Sequence, residues 1–182
     1  MSENRISATR TINAPADKIF DYLSLPANHV DLDGSGFVRS VGHGDRIQQV
    51  GDKFTMNMEG DHMGGEYQTD NHVIACAPNT AIGWKTAPAG EEPPGWSWVW
   101  TLEGDGDQTD VTVTYDWSDV TDKALLNKIS FPLVEQSALE DSLAKLAEAV
   151  GWPEPAAASP LKRTPGVLIP QVCTPGVLLF GP

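Results

Sequence analysis

The stretch PLVEQSALEDSLAKLAEAV, residues 132–150, sets the reading of the whole chain. Leu139, Leu143, Leu146 and Val150 recur at i, i+4, i+7 and i+11, which puts them on one stripe of a helix. Leu133, Val134, Ala138 and Ala147 widen that stripe, while Glu135, Glu140, Asp141, Lys145 and Glu148 lie mostly opposite. Pro132 suits a first helical turn, and Gly151 followed by Pro153 suits a stop. Nineteen residues predict a rod of roughly 28 Å. A rod with one broad apolar face needs a large partner surface. Most of the chain before it reads as strands, so the rod is expected to lie across a curved sheet.

At the other end of the chain, residues 5–13 read as a first strand, with Ile6, Ala8 and Ile12 on one parity and Arg10 breaking that face. Asn13-Ala14-Pro15-Ala16-Asp17 is a helix start: a polar residue, then Pro in the first turn, then an acid near the positive end of the helix dipole. Ile19, Phe20 and Leu23 form its buried face, and Leu25-Pro26 ends it. Residues 26–33 form a second short helix. Residues 37–41 and 46–58 read as strands, the second alternating Phe54, Met56 and Met58 with polar residues. Gly60 to Gly65 is a glycine-rich loop containing His62. Residues 66–77 form another strand of ambiguous parity. Tyr67, Asn71, Val73 and Ala75 make the favoured inner face, and His72, Ile74 and Cys76 the alternative. Residues 81–86 are a strand carrying Ile82 and Trp84, and residues 87–95 are a loop by composition, mobile by its prolines and glycines.

The clearest alternation comes next. Trp96, Trp98, Trp100 and Leu102 share one parity, and after the turn at Gly104 to Asp107 so do Val111, Val113, Tyr115 and Trp117. Thr112, Thr114 and Asp116 occupy the opposite face, which fits water. The result is a wide aromatic wall. Residues 121–129 lead helically into the rod.

Beyond Trp152 the composition shifts. A Pro/Ala-rich linker precedes Thr164-Pro165-Gly166-Val167-Leu168, which recurs as Thr174-Pro175-Gly176-Val177-Leu178. Two copies do not build a stacked repeat. The expected organisation is one domain over 1–152 and a poorly ordered apolar tail over 153–182.

Composition restricts function. With 12 basic and 25 acidic residues the net charge is −13, a field that repels nucleic-acid phosphates and anionic lipid headgroups. No signal segment or membrane-length apolar run is present, so a cytoplasmic protein that does not insert into membranes is expected. Cys76 and Cys173 have no partner at metal-binding spacing, and no HExxH, GxSxG or phosphate-binding glycine loop occurs. No cofactor and no metal are expected, and nothing sets the oligomeric state.

The order strand, two short helices, a run of antiparallel strands and one long helix resembles the START-like helix-grip superfamily, specifically its polyketide cyclase/dehydrase branch. The matching stretches are Ile12-Asn13-Ala14-Pro15-Ala16, Tyr67 through Pro78 with Trp84, and Val113-Thr114-Tyr115-Asp116-Trp117-Ser118. All are scaffold positions, so they identify a fold more than an activity. The resemblance implies an α+β architecture: a curved seven-stranded antiparallel sheet wrapped around the C-terminal helix, two short helices after the first strand, and a deep cavity between sheet and helix. It also implies small hydrophobic ligands, and many members of the superfamily are non-enzymatic carriers.

A cavity of this type holds ~300–1,000 Å³. Its expected lining is Met56, Tyr67, Trp84, Trp98, Trp100, Tyr115 and Trp117, with His29 at the mouth. Aromatic walls suit flat ligands, and methionine adapts to irregular ones. Burying ~300 Å² of apolar ligand surface would contribute roughly 7 kcal/mol before ordering costs. The leading expectation is binding, for carriage or sensing, of a small hydrophobic or aromatic molecule. The alternative is a cyclase/dehydratase-type enzyme, with Tyr67, Tyr115 and His29 as the candidate proton-moving groups. A third is a protein-interaction or stress-response role, as in relatives that assist chaperones or toxins.

Overall fold

A computed structural model of the chain describes residues 4–151. Its order is β1 (Arg5–Ile12), α1 (Ala16–Leu23), a 3-10 turn (Pro26–Asn28) running into α2 (His29–Leu32), β2 (Val38–His43), β3 (Lys53–Gly60), β4 (Gly65–Ala77), β5 (Ala81–Pro88), β6 (Ser97–Asp105), β7 (Gln108–Asp116), α3 (Lys123–Lys128) and α4 (Gln136–Val150). The seven strands form one antiparallel sheet in the order β1-β7-β6-β5-β4-β3-β2. Strands β2 to β7 are a simple meander. The two short helices carry the chain from β1 at one edge to β2 at the other, and α4 returns across the inner face to pack on β1 and β7. This is the expected α+β helix-grip architecture.

The apolar stripe of α4 behaves as its spacing requires. Leu139, Leu143 and Leu146 are buried, and Val150 packs against the same core. The helix is shorter than expected: it has fifteen residues and begins at Gln136, with Glu135 extended at its N-cap. At 1.5 Å per residue it spans roughly 22 Å. Pro132 follows a cis peptide bond to Phe131 and lies outside the helix. Residues 130–134 are instead spent on walls: Phe131 stacks on Trp117 with ring centroids 5.9 Å apart, and Val134 is buried.

Three other expectations change. Residues 46–52 are not strand. Arg46 reaches the carbonyl and carboxylate of Asp21, and the Ile47 N–H donates to the Ser24 carbonyl at 2.7 Å. Asp52 accepts from the N–H groups of Gln48 and Gln49, a local turn that competes with pairing. In β4 the register slips between Val73 and Ala75. Thr69, Asn71 and Val73 therefore face inward, whereas beyond the bulge Cys76, opposite the buried Ile82, packs on the core and Ile74 is exposed. Each proposed inner face of that strand holds for half of it. Finally, Ala87 and Pro88 extend β5. The loop after them is tied down by Gly90 N–H donating to Asp70 and Ala89 N–H to the Gln68 carbonyl. Arg10 is exposed on the edge strand β1, whose register is regular without a bulge.

The tail over 153–182, with Cys173 and the repeated Thr-Pro-Gly-Val-Leu segments, lies outside the described residues. No helix among the described residues is long and apolar enough to cross a membrane.

Candidate functional site

The strands bring their inner side chains together in rows. On β3 these are Phe54, Met56 and Met58; on β4, Tyr67, Thr69 and Asn71; on β5, Trp84 and Thr86; on β6, Trp98 and Trp100; on β7, Val113 and Tyr115. Above them stands the N-terminal half of α4, which presents Ala138, Leu139 and Ser142. Ala and Ser are too short to reach the sheet. A cavity of about 700 Å³ remains between the layers.

The aromatic side chains build its walls in two groups. In one, His29 stacks on Trp84 at 4.8 Å and 18°, and both meet Phe54 edge-on at 5.3 Å. In the other, Trp98 stacks on Tyr115 at 4.2 Å and 13°. Trp84 and Trp98 are cross-strand partners, which joins the groups into one surface. The exposed members of the lining, His62, Met63, Glu91 and Ser130, mark the mouth.

Polar groups interrupt this surface. Asn71 is buried; its Oδ1 accepts from Thr86 at 2.7 Å, and its Nδ2 donates to the Phe54 carbonyl at a long 3.4 Å. Thr69 is buried as well, and neither its hydroxyl nor that of Tyr115 has a hydrogen-bond partner among the described residues. At the mouth the Tyr67 hydroxyl and His62 Nε2 share a hydrogen bond of 3.2 Å.

His29 is held by its Nε2–H, which donates to the Leu23 carbonyl at 2.7 Å. The tautomer leaves Nδ1 as an acceptor. Burial lowers its pKa to about 4, with the backbone bond opposing that shift. Burial likewise raises the Tyr115 phenol well above its ordinary value, and burial plus the nearby charge of Asp33 raises Tyr67.

The loop between α2 and β2 closes one side. Gly34 N–H donates to Ser142 Oγ at 3.0 Å, and Lys145 on α4 donates to the Asp33 carbonyl. A Cβ at Gly34 would lie 2.1 Å from the Ala138 carbonyl oxygen, so this approach is open only to glycine.

Of the residues expected at the site, Met56, Tyr67, Trp84, Trp98, Trp100, Tyr115 and His29 all line the cavity. Trp117 does not. It is buried just beyond β7 and packs between Tyr115 and Phe131. His62, in the glycine-rich loop, sits at the mouth against Phe37 and Tyr67. Sequence reasoning put Asn71 on the inner face without naming it in the lining, and it missed Thr69 and Thr86. Their parity with Tyr67 and Trp84 was the available signal. No group of His, Cys, Asp or Glu among the described residues could hold a metal ion.

Comparison with known proteins agrees with this geometry. The chain is 32% identical over 114 residues to the uncharacterized protein Rv0088 of Mycobacterium tuberculosis, covering 62% of this chain. It spans less than half, 47%, of that relative's length. Among solved structures, protein CV1439 from Chromobacterium violaceum superposes with a TM-score of 0.57 at 19% identity, covering 81% of this chain and 96% of that one. Major latex-like protein 151 of Panax ginseng superposes with a TM-score of 0.53 at 14% identity, covering 80% and 96%. At these identities the structures establish the shared helix-grip fold. The family model for "Activator of Hsp90 ATPase homolog 1-like protein" matches residues 13–151, so with the meander sheet, the gripping helix and the cavity between them, the chain belongs to that family, within the START-like superfamily.

Proposed function

We propose that the protein binds a small hydrophobic or aromatic molecule in the cavity between sheet and α4. The observation that carries this reading is the roughly 700 Å³ of space lined by Phe54, Trp84, Trp98, Trp100 and Tyr115. Natural interiors are packed to near-crystalline density, so a void of this size is an exception that asks for an occupant. Aromatic faces stack on flat ligands, and Met56 and Met58 adapt to irregular edges.

Binding is favoured over chemistry because the candidate proton-moving groups are tuned away from neutrality. His29 has a pKa of about 4 and is a weak base at pH 7, and both Tyr67 and Tyr115 hold their protons more tightly than a free phenol. General acid–base catalysis works best with a pKa near the working pH.

The test is calorimetric titration with uncharged naphthalene, flavone, sterol and acylglycerol probes, alongside native mass spectrometry of protein purified from its own host. At least one probe class should bind with micromolar affinity, and Thr69→Trp, which fills the cavity, should abolish it. No binding by any class, with no co-purified molecule, would remove the proposal.

A further inference from the structure

If the cavity binds a small molecule as proposed, the chemistry of its lining restricts that molecule further than its volume does. Among the described residues that line the cavity none is lysine or arginine. Four cations are engaged with other groups: Arg46 with Asp21, Arg39 with Glu59, Lys85 with Asp119, and Lys145 with the Asp33 carbonyl. The charged side chains that do line it are Asp33 and Glu91. The Asp33 carboxylate accepts from Ser35 N–H, Ser35 Oγ and Val38 N–H, so it is fixed in place at the loop that borders the cavity. His29 supplies no positive charge either, since burial keeps it neutral at pH 7.

The polar groups inside are neutral and clustered. Asn71 and Thr86 are cross-strand partners, and Thr69 stands two residues along β4 from Asn71. The Asn71 amide, the Thr69 hydroxyl and the Tyr115 hydroxyl each retain hydrogen-bonding capacity: one long bond for the Asn71 Nδ2 group, and no partner among the described residues for the two hydroxyls. Neutral dipoles of this kind satisfy a carbonyl or a hydroxyl. They do not offset the desolvation of a carboxylate, which needs an opposite charge when buried. A net charge of −13 on the whole chain acts in the same direction.

We propose that the cavity selects uncharged ring-bearing molecules with a hydroxyl or carbonyl group, and excludes the corresponding carboxylates because no lining side chain among the described residues supplies a positive charge. Free fatty acids and aromatic acids are then poor ligands, while phenols, alcohols, ketones and esters of similar shape are good ones.

The experiment uses a pair of similar shape, 2-naphthalenemethanol and 2-naphthoate, titrated into the full chain by calorimetry at pH 7.5. The alcohol should bind at least tenfold more tightly than the carboxylate. Equal affinities, or a preference for the carboxylate, would overturn this selectivity and leave the cavity reading standing. Binding of neither compound, together with failure of the wider neutral panel, would overturn both. A variant gives the converse: Met58→Lys places a cation in the lining and should narrow the gap between alcohol and carboxylate at least tenfold. If that variant does not fold, Met63→Lys at the exposed rim serves the same purpose. A folded variant that leaves the gap unchanged would show that the missing cation is not its cause.

Discussion

The two ends of the molecule are built from similar residues and packed in opposite ways. At one end Ile12, Ile19, Ile82, Leu102 and Val111 share a buried core with Leu143 and Leu146 from the second half of α4, and none of these side chains lines the cavity, so this is the solid end. At the other end Phe54, Met56, Trp84 and Trp98 face Ala138 and Ser142 from the first half of the same helix, and this part is hollow. The helix axis and the sheet are shared. The size of the helical side chains separates the two ends: Leu143 and Leu146 lie outside the cavity lining, whereas Ala138 and Ser142, on either side of Leu139, leave room that the aromatic residues line but do not fill. The hollow end also carries the polar set His29, Thr69, Asn71 and Thr86, whereas among the described residues the buried polar side chains outside the cavity lining are Ser24 and Thr109.

Measurements on both ends can test this contrast. The largest effect is expected at the solid end. Leu146 has no exposed surface and lies outside the cavity lining, and Leu146→Ala should cost about 2–5 kcal/mol in denaturant unfolding. Met58→Ala at the half-buried edge of the cavity should cost clearly less. Equal losses would mean that the hollow end carries as much packing as the solid one.

The second effect is pH dependence at the hollow end. The folded pKa of His29, about 4, lies below its ordinary 6.5, so between these values the unfolded chain binds more protons. Stability from this group is complete above about pH 6.5 and is lost as pH falls, levelling near pH 4, with a ceiling of about 3 kcal/mol. Denaturant titrations from pH 7 to 4.5 should show this slope, and His29→Gln should flatten it. An unchanged slope would assign the loss to other groups.

Third, Gly34→Ala forces a Cβ against the Ala138 carbonyl and should separate the α2–β2 loop from α4. A loss of about 1–3 kcal/mol is expected from such overpacking, together with weakened binding of the neutral probes. Unchanged binding would separate that loop from the cavity wall. The smallest effect bears on the contrast most directly. Val111→Phe at the solid end should destabilise by about 1–3 kcal/mol. Thr69→Leu enlarges a residue beside open space and loses a hydroxyl without a partner among the described residues, so its stability should shift by less than about 1 kcal/mol.

Much of this arrangement can be read from residue order. The 3.6-residue stripe of Leu139, Leu143 and Leu146 and the alternation of Trp98, Trp100, Val111, Val113 and Tyr115 are local periodicities, and both survive folding. They place the gripping helix and most of the aromatic wall without coordinates. What failed was local pattern overridden by a distant partner. Pro132 looked like a helix start, but residues 130–134 are held by Trp117 and the cavity. Residues 46–52 alternate weakly, but Asp21 and Ser24 at the end of α1 capture Arg46 and Ile47. Trp117 continued the inner parity of β7, yet one residue beyond the strand it turns to stack on Phe131.

Residue order alone therefore settles the fold class, the helix that grips the sheet and the aromatic character of the inner face, because periodicity and side-chain chemistry are properties of neighbours along the chain. Three features emerge only when the chain is folded: the interior is hollow at one end, β4 changes faces at a bulge, and no lysine or arginine among the described residues lines the space. Each of these depends on which side chains face one another across strands and layers, and the placing of Ala138 and Ser142 across the cavity from Asn71, Trp84 and Tyr115 is written nowhere in their order along the chain.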